Sequence, residues 1–509
     1  MTKEGIPMKL ATVFTDHMVL QRGMPVRVFG SGDGTASVTL RGVTATAQSE
    51  DGHWLVELPE QEAGFLGEME IDLNGEKTVL TDILCGEVFL AAGQSNMEMP
   101  LFRTAYGVCE ALNAKNDQLR FVTIPRRVLA DHALPNWHFE AATNEDEPWK
   151  ICDTESAAHF SAVGYYFGQK LQRALGVPVG IVSCNWGGTV IETWINPDHF
   201  GKYPCLKNAA EAYAADQAEI ARRGDELTEK YLAYAQAKAD FNDIYGWDMC
   251  DRVFRMGIRG ALATENLAFP PMTGCEVYDP NRPGRLWRAM VERVAPFPAR
   301  GVVWYQGESN GSDRDYLEKY GAMMDSWRQA FDCDLAFFAA ELAAFRRQGD
   351  VTDWAFLREQ QLAATHRFAD NYLAGVSDLG DPYDIHPLQK EPLCERLYRL
   401  AADKLFGLDI PADAPELSGW ETKDGAMILT FDHAKRLYCR GGFRELTVAG
   451  KDGVFHPAEA AIEENRLILR SSEVPDPAAA RYCFQTWHEY GNLYNEHGLP
   501  VFPFRTDRS

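Results

Sequence analysis

The stretch Val88-Phe89-Leu90-Ala91-Ala92-Gly93-Gln94-Ser95-Asn96-Met97 decides the fold. Its unbroken apolar run is too uniform for a half-exposed strand and too short for a helix. It predicts a strand buried on both faces, as in a parallel sheet. The Gly-Gln-Ser corner that follows would place a hydroxyl at the strand's carboxyl end, where α/β sheets bind ligands. Runs of the same texture recur at Val179–Ser183, Gly301–Tyr305, Leu335–Ala340 and Leu373–Val376. Helical periodicity lies between them. Val163, Tyr166, Phe167, Leu171 and Ala174 share one face before Gly176 and Pro178 end the segment. A second helix is expected from about Asp315 through Trp327, with Ser312 or Asp313 as its N-cap. The alternation predicts a mostly parallel three-layer α/β sheet.

Outward from this centre the texture changes. Residues 1–85 read as short strands (Val26–Phe29, Ser37–Leu40, Trp54–Leu58, Glu68–Leu73) spaced by Gly, Asp and Asn turns, the pattern of a small β-sandwich. The α/β domain is expected over 86–408. Within it, 196–280 breaks the rhythm. Leu206 to Phe241 is rich in Ala, Glu, Lys and Gln and predicts a long, largely exposed helix or helix pair, either a structural flap or a lid. After Leu408 a Pro-rich passage leads into a C-terminal β-rich domain, 409–509, with strands at Ala426–Phe431, Leu446–Val448 and Arg466–Leu469.

The chain of 509 residues is long enough for several cores. Its net charge of -24, from 50 basic and 74 acidic residues, disfavours nucleic acid and anionic membranes as partners. No run approaches the roughly 18 apolar residues of a membrane span. No apolar segment follows the N-terminal Lys3 as in a signal peptide. The 11 cysteines, from Cys85 to Cys483, form no C-x-x-C pair and read as small buried hydrophobes in a reducing compartment. A cytoplasmic location is the expectation.

Four motifs end four different predicted strands. Gly93-Gln94-Ser95-Asn96 offers a nucleophile. Asn185-Trp186-Gly187-Gly188-Thr189 offers paired glycines that let a backbone N–H approach a developing oxyanion. Trp304-Tyr305-Gln306-Gly307-Glu308-Ser309-Asn310 offers a side-chain amide from Gln306 or Asn310 to the same oxyanion. Asp384-Ile385-His386-Pro387 supplies a base with a carboxylate beside it, the pairing serine catalysis requires. The cluster Asp378, Asp381, Asp384 and His386 also invites a metal reading, but no second His stands at ligand spacing, and neither metal nor cofactor is expected. Trp186, Trp194 and Trp304 are candidate sugar-stacking faces or core residues. Arg103 is the basic residue nearest the serine in sequence, a candidate for a substrate carboxylate or a surface ion pair.

GQSNMEMP, NWGGTVIETW, WYQGESN and DIHPLQK, in this order, resemble the sialate O-acetylesterases of the SGNH-hydrolase superfamily. Phe14–Arg22 and Asn492–Asp507 resemble that family's terminal signatures, so the likeness spans nearly the whole chain. The resemblance implies a flavodoxin-like catalytic domain and removal of acetyl groups from a small sugar, O-acetylated sialic acid, by Ser95 and His386. It implies the Ser95 N–H, Gly187 or Gly188, and Gln306 as oxyanion donors. Gln94, Asn96, Trp186, Glu308, Asn310 and Arg103 are the substrate-side residues expected with it. The superfamily commonly spaces its acid as D-x-x-H, a position held here by Tyr383. Asp384, Asp381 and a Ser–His dyad therefore all remain open. Two other readings stand beside this one: an acetylxylan or other polysaccharide acetylesterase, and a non-catalytic carbohydrate-binding protein.

Overall fold

The computed structural model describes residues 7–129, 146–265, 271–346 and 352–507, and of 239–265 only the backbone. The chain divides into two compact units, Met1–Val302 with Ala322–Leu335, and Val303–Gly321 with Ala336–Ser509. The architecture is α/β, with a mixed sheet and separate small β-sheets. No described helix is long and apolar enough to cross a membrane.

The first unit begins with short antiparallel strands. In His53–Leu58 every second residue is buried (Trp54, Val56, Leu58), the period-two pattern of a strand with one face on a core. Strand β1 (Glu76–Gly93) is 18 residues long and does two jobs. Its first part pairs antiparallel with Gly64–Leu73. Its last part, buried from Ile83 to Gly93, runs parallel to β3 (Val179–Asn185). The expected boundary at residue 85 thus falls inside one continuous strand. Strand β2 (Asn116–Thr123) lies on the other side of β3, also parallel. Helix α1 (Ala162–Leu175) ends where expected, at Gly176 in the left-handed region (φ 64°). A Cβ at its Gly168 would sit 2.9 Å from both Ile181 and Leu119 side-chain atoms, so glycine sets how closely this helix approaches β2 and β3. The insertion carries the α-helix α2 (Lys207–Glu265), longer than the segment its composition suggested.

In the second unit the end of strand β4 (Gly301–Tyr305) neighbours β5 (Ala336–Ala340), and β5 runs parallel to β6 (Asn371–Ala374). The expected C-terminal strands are present as Ala426–Asp432, Leu446–Ala449 and Arg466–Arg470, around a core that includes Leu429, Phe431, Val448, Leu467 and Tyr482. This region is hydrogen-bonded to the loop after β6. Ser377 Oγ donates to the Val501 carbonyl at 2.8 Å, and the Gly491 N–H donates to the Ser377 carbonyl at 2.7 Å.

Candidate active site

The two units each carry part of the motif set: Gln94, Ser95, Asn96, Arg103, Trp186, Gly187 and Gly188 in the first, and Gln306, Glu308, Asn310, Asp384 and His386 in the second.

In the first unit, β1 ends at Gly93 with φ 139°, a conformation open to glycine and strained for other residues. The chain then turns into a four-residue helix, Ser95–Glu98, started by the Gln94 carbonyl, which accepts from the Met97 and Glu98 N–H groups. Ser95 is the partly exposed member; Gln94, Asn96 and Glu98 are buried. As the first residue of the helix, Ser95 has an N–H without an intrahelical acceptor. Among the described residues neither that N–H nor the hydroxyl has a hydrogen-bond partner.

Gly187 lies directly against this corner. A Cβ there would be 3.2 Å from the Ser95 Cβ and 3.0 Å from Glu98 Oε2. Its N–H, however, donates to Glu98 Oε2 at 2.5 Å. An N–H held that closely by a carboxylate is not available to an oxyanion, which corrects the expectation for Gly187. Gly188 stands in the left-handed region (φ 73°) with open space where a side chain would be, and no described residue accepts from its N–H. Asn281 holds this loop by donating to the Gly188 carbonyl at 3.2 Å and accepting from the Val190 N–H at 2.9 Å.

Glu98 also forms an ion pair with Arg126, whose guanidinium lies 5.7 Å from the Trp186 ring centre. Arg126 follows β2 just as the motifs follow their strands, and that position is the signal the sequence reading passed over. Lys238, on α2, lies within the field of Arg126; burial, then Arg126, pull its pKa down to about 8 against the attraction of Asp279. Arg103 is half-buried at the end of the 3-10 turn Leu101–Arg103. Trp194 and Trp304 are 0% and 1% exposed, core residues and not sugar platforms. Trp186, at 9%, is nearly covered as well.

In the second unit Gln306 is fully buried after β4. Its Nε2 donates to Asn310 Oδ1 at 2.7 Å, and its Oε1 accepts from the Tyr316 hydroxyl at 2.9 Å. Asn310 Nδ2 passes the chain on to Asp313 at 3.2 Å, and Lys319 neutralises Asp313 at 2.6 Å. Such a network fixes the Gln306 amide plane. His386 is partly exposed on the loop after β6. Asp384 Oδ1 accepts the His386 backbone N–H at 2.8 Å and lies 3.6 Å from its Nδ1. That separation is beyond a hydrogen bond, but a shift of under about 1 Å closes it. Asp381 Oδ1 instead accepts the Tyr383 and Asp384 N–H groups, at 2.7 and 3.0 Å, and shapes the turn.

Lys390 is the last residue of the DIHPLQK motif. It is buried, with its Nζ 5.2 Å from the Tyr305 ring centre. Burial lowers its pKa to about 8, opposed by the negative charges of Glu308 and Asp384. It thus provides a positive charge beneath the Glu308 and Asp384 loops.

Residues 85–221 match the family described as carbohydrate esterase, sialic acid-specific acetylesterase. The chain is 25% identical to the sialate O-acetylesterase of Mus musculus, over 98% of this chain and 94% of that protein. It is 23% identical to that of Homo sapiens, over 84% and 77%. A crystal structure of a carbohydrate acetylesterase from Xanthomonas citri superposes with a TM-score of 0.77 at 29% identity, covering 99% of this chain and all of that one (100%). Along nearly its whole length the chain is similar to the sialate O-acetylesterases. Ser95, Glu98, Arg126 and the Gly187-Gly188 pair all fall within the segment matched to the sialate esterase family.

Proposed function

We propose that this chain is a serine esterase that removes O-acetyl groups from a sugar, with an O-acetylated sialic acid as its preferred substrate. The observation that carries the reading is Ser95. Its hydroxyl and N–H are both unpartnered among the described residues, at the head of a helix and packed against Gly187. Serine esterases need that combination of nucleophile and oxyanion donor. In this reading His386 accepts the hydroxyl proton as Ser95 Oγ attacks the ester carbonyl, and Asp384 holds the imidazole in the required tautomer. The N–H groups of Ser95 and Gly188, with the Gln306 side-chain amide, receive the oxyanion. Collapse expels the sugar hydroxyl, protonated by His386. Water then attacks the acetyl-enzyme with His386 again as base, releasing acetate and restoring Ser95.

The names of the relatives, sialate O-acetylesterase and carbohydrate acetylesterase, support the substrate class. The three-layer SGNH arrangement belongs to the same proposal, supported by the parallel pairing of β1, β2 and β3. Gln94, Asn96, Trp186, Glu308, Asn310 and Arg103 are its substrate-side residues. The insertion acts as a lid, a role supported by Lys238 of α2 lying in the field of Arg126. The test compares acetate release from O-acetylated sialic acid with release from acetylated xylo-oligosaccharides. Faster release from the sialate is expected. Faster release from the xylo-oligosaccharides overturns the sialate assignment, and release from neither overturns the esterase.

A further inference from the structure

Three segments of the second unit meet beside the histidine loop. The first, Ala344–Arg346, lies just past the carboxyl end of β5. The second, Gly380–Tyr383, leads into Asp384 and His386. The third is Gln485–Trp487, from the C-terminal region. Backbone hydrogen bonds lace them together: Asp381 N–H to the Ala344 carbonyl at 3.3 Å, and Phe345 N–H to the Thr486 carbonyl at 3.2 Å. Buried Arg358 ties the third segment down by donating to the Gln485 and Thr486 carbonyls at 2.7 and 3.1 Å.

On this frame the Arg346 guanidinium lies over two rings, 5.8 Å from the centre of Tyr383 and 5.7 Å from that of Trp487. Trp487 is steadied in turn by an edge-to-face contact with Tyr490 at 6.0 Å. Tyr383 is 85% exposed and Tyr490 45%. No described carboxylate pairs with Arg346, which is itself exposed. Core packing does not account for rings turned to solvent. A lone exposed aromatic would need no explanation, but here rings from two separate segments hold one cation. Cation–π contacts fix the guanidinium without neutralising it, so its donors stay presented to solvent. Tyr383 is three residues from His386, so their Cα atoms are no more than about 11 Å apart.

We propose that Arg346, held against the rings of Tyr383 and Trp487, is the subsite that binds the carboxylate of an acidic sugar, with the exposed aromatic faces packing on the sugar ring. This rests on the esterase reading and gives its substrate preference a structural cause. A planar guanidinium takes a carboxylate in a two-point fork, and aromatic faces suit the apolar side of a pyranose. The clamp supplies a local positive charge on a chain whose net charge of -24 would otherwise repel an anionic substrate.

The test compares kcat/KM for O-acetylated sialic acid and for its carboxyl methyl ester, which keeps the acetyl group and loses the charge. In the wild-type protein the free acid is expected to be favoured about 10–100-fold, the range of a charge-assisted hydrogen bond to carboxylate. Arg346→Met should bring the ratio close to one, chiefly through KM, and Arg346→Lys should retain part of it. Trp487→Leu should weaken the same preference while Arg346 remains. Competitive inhibition by free sialic acid should weaken in parallel, which reads binding apart from turnover. A wild-type ratio near one, with both esters turned over, overturns the clamp. So does a preference that survives Arg346→Met. Failure of the wild-type protein to cleave either ester removes the esterase reading and the clamp with it, an outcome distinct from the other two.

Discussion

Replacing Glu98 by Ala is expected to damage both stability and turnover, because this one buried carboxylate holds two partners. One oxygen accepts the Gly187 N–H at 2.5 Å; the other pairs with Arg126, whose side chain is 14% exposed. Removing one member of a buried ion pair costs about 3–5 kcal/mol, mostly for the charge left without a partner. Leaving a buried N–H unsatisfied costs about 1–3 kcal/mol more when the loop cannot relax. The two losses share one side chain and are not additive, so about 3–5 kcal/mol is the expected total. Thermal unfolding followed by calorimetry should show the first transition lowered by several degrees. The origin of the penalty predicts a rescue: Glu98→Ala with Arg126→Met removes the unpaired cation and should be more stable than Glu98→Ala alone. kcat should stay depressed in the double variant, since nothing then holds Gly187 against Ser95. An unchanged melting profile and kcat in Glu98→Ala would refute the reasoning. A double variant less stable than the single one would refute the charge argument specifically.

Asp384→Asn should lower kcat by up to ~10⁴-fold if this carboxylate orients His386; a loss under about tenfold in steady-state assays would leave a dyad. Gln306→Ala should lower kcat by ~10²–10³-fold with little change in KM, whereas a rise in KM alone would make Gln306 a ground-state contact. Glu341 is buried and accepts the Val376 N–H at 2.7 Å; burial raises its pKa to about 7 despite Arg358. Between about pH 4.5 and 7 the folded state therefore binds more protons than the unfolded one, and Glu341 makes stability fall as pH rises through that window. Glu341→Gln should remove this slope. Melting temperatures of the two proteins that track each other from pH 5 to 8 would contradict it.

The apolar runs ending at Ala92, Ser183, Tyr305 and Ala340 were legible as buried strands because burial on both faces leaves a continuous signature. The end of α1 was legible from Gly176, whose left-handed φ only a few residue types tolerate. Other features were not legible, for stated reasons. The change of partner along β1 leaves no mark in composition, since the same backbone pairs antiparallel and then parallel. The commitment of the Gly187 N–H depends on Glu98 folding back across a four-residue helix, a contact between positions 89 residues apart. Arg126 and Arg346 each look like ordinary surface arginines in sequence. Only the fold sets Trp186 beside the first and Tyr383 and Trp487 beside the second.

The central claim is that Ser95 is the nucleophile, and covalent labelling tests it most directly. After treatment with a fluorophosphonate, intact-protein and peptide mass spectrometry should find a single adduct, on Ser95, with acetyl-ester hydrolysis lost in step. Ser95→Ala should take up no label and release no acetate while keeping the wild-type melting profile. An adduct on a different serine, or acetate release persisting in Ser95→Ala, would contradict the account.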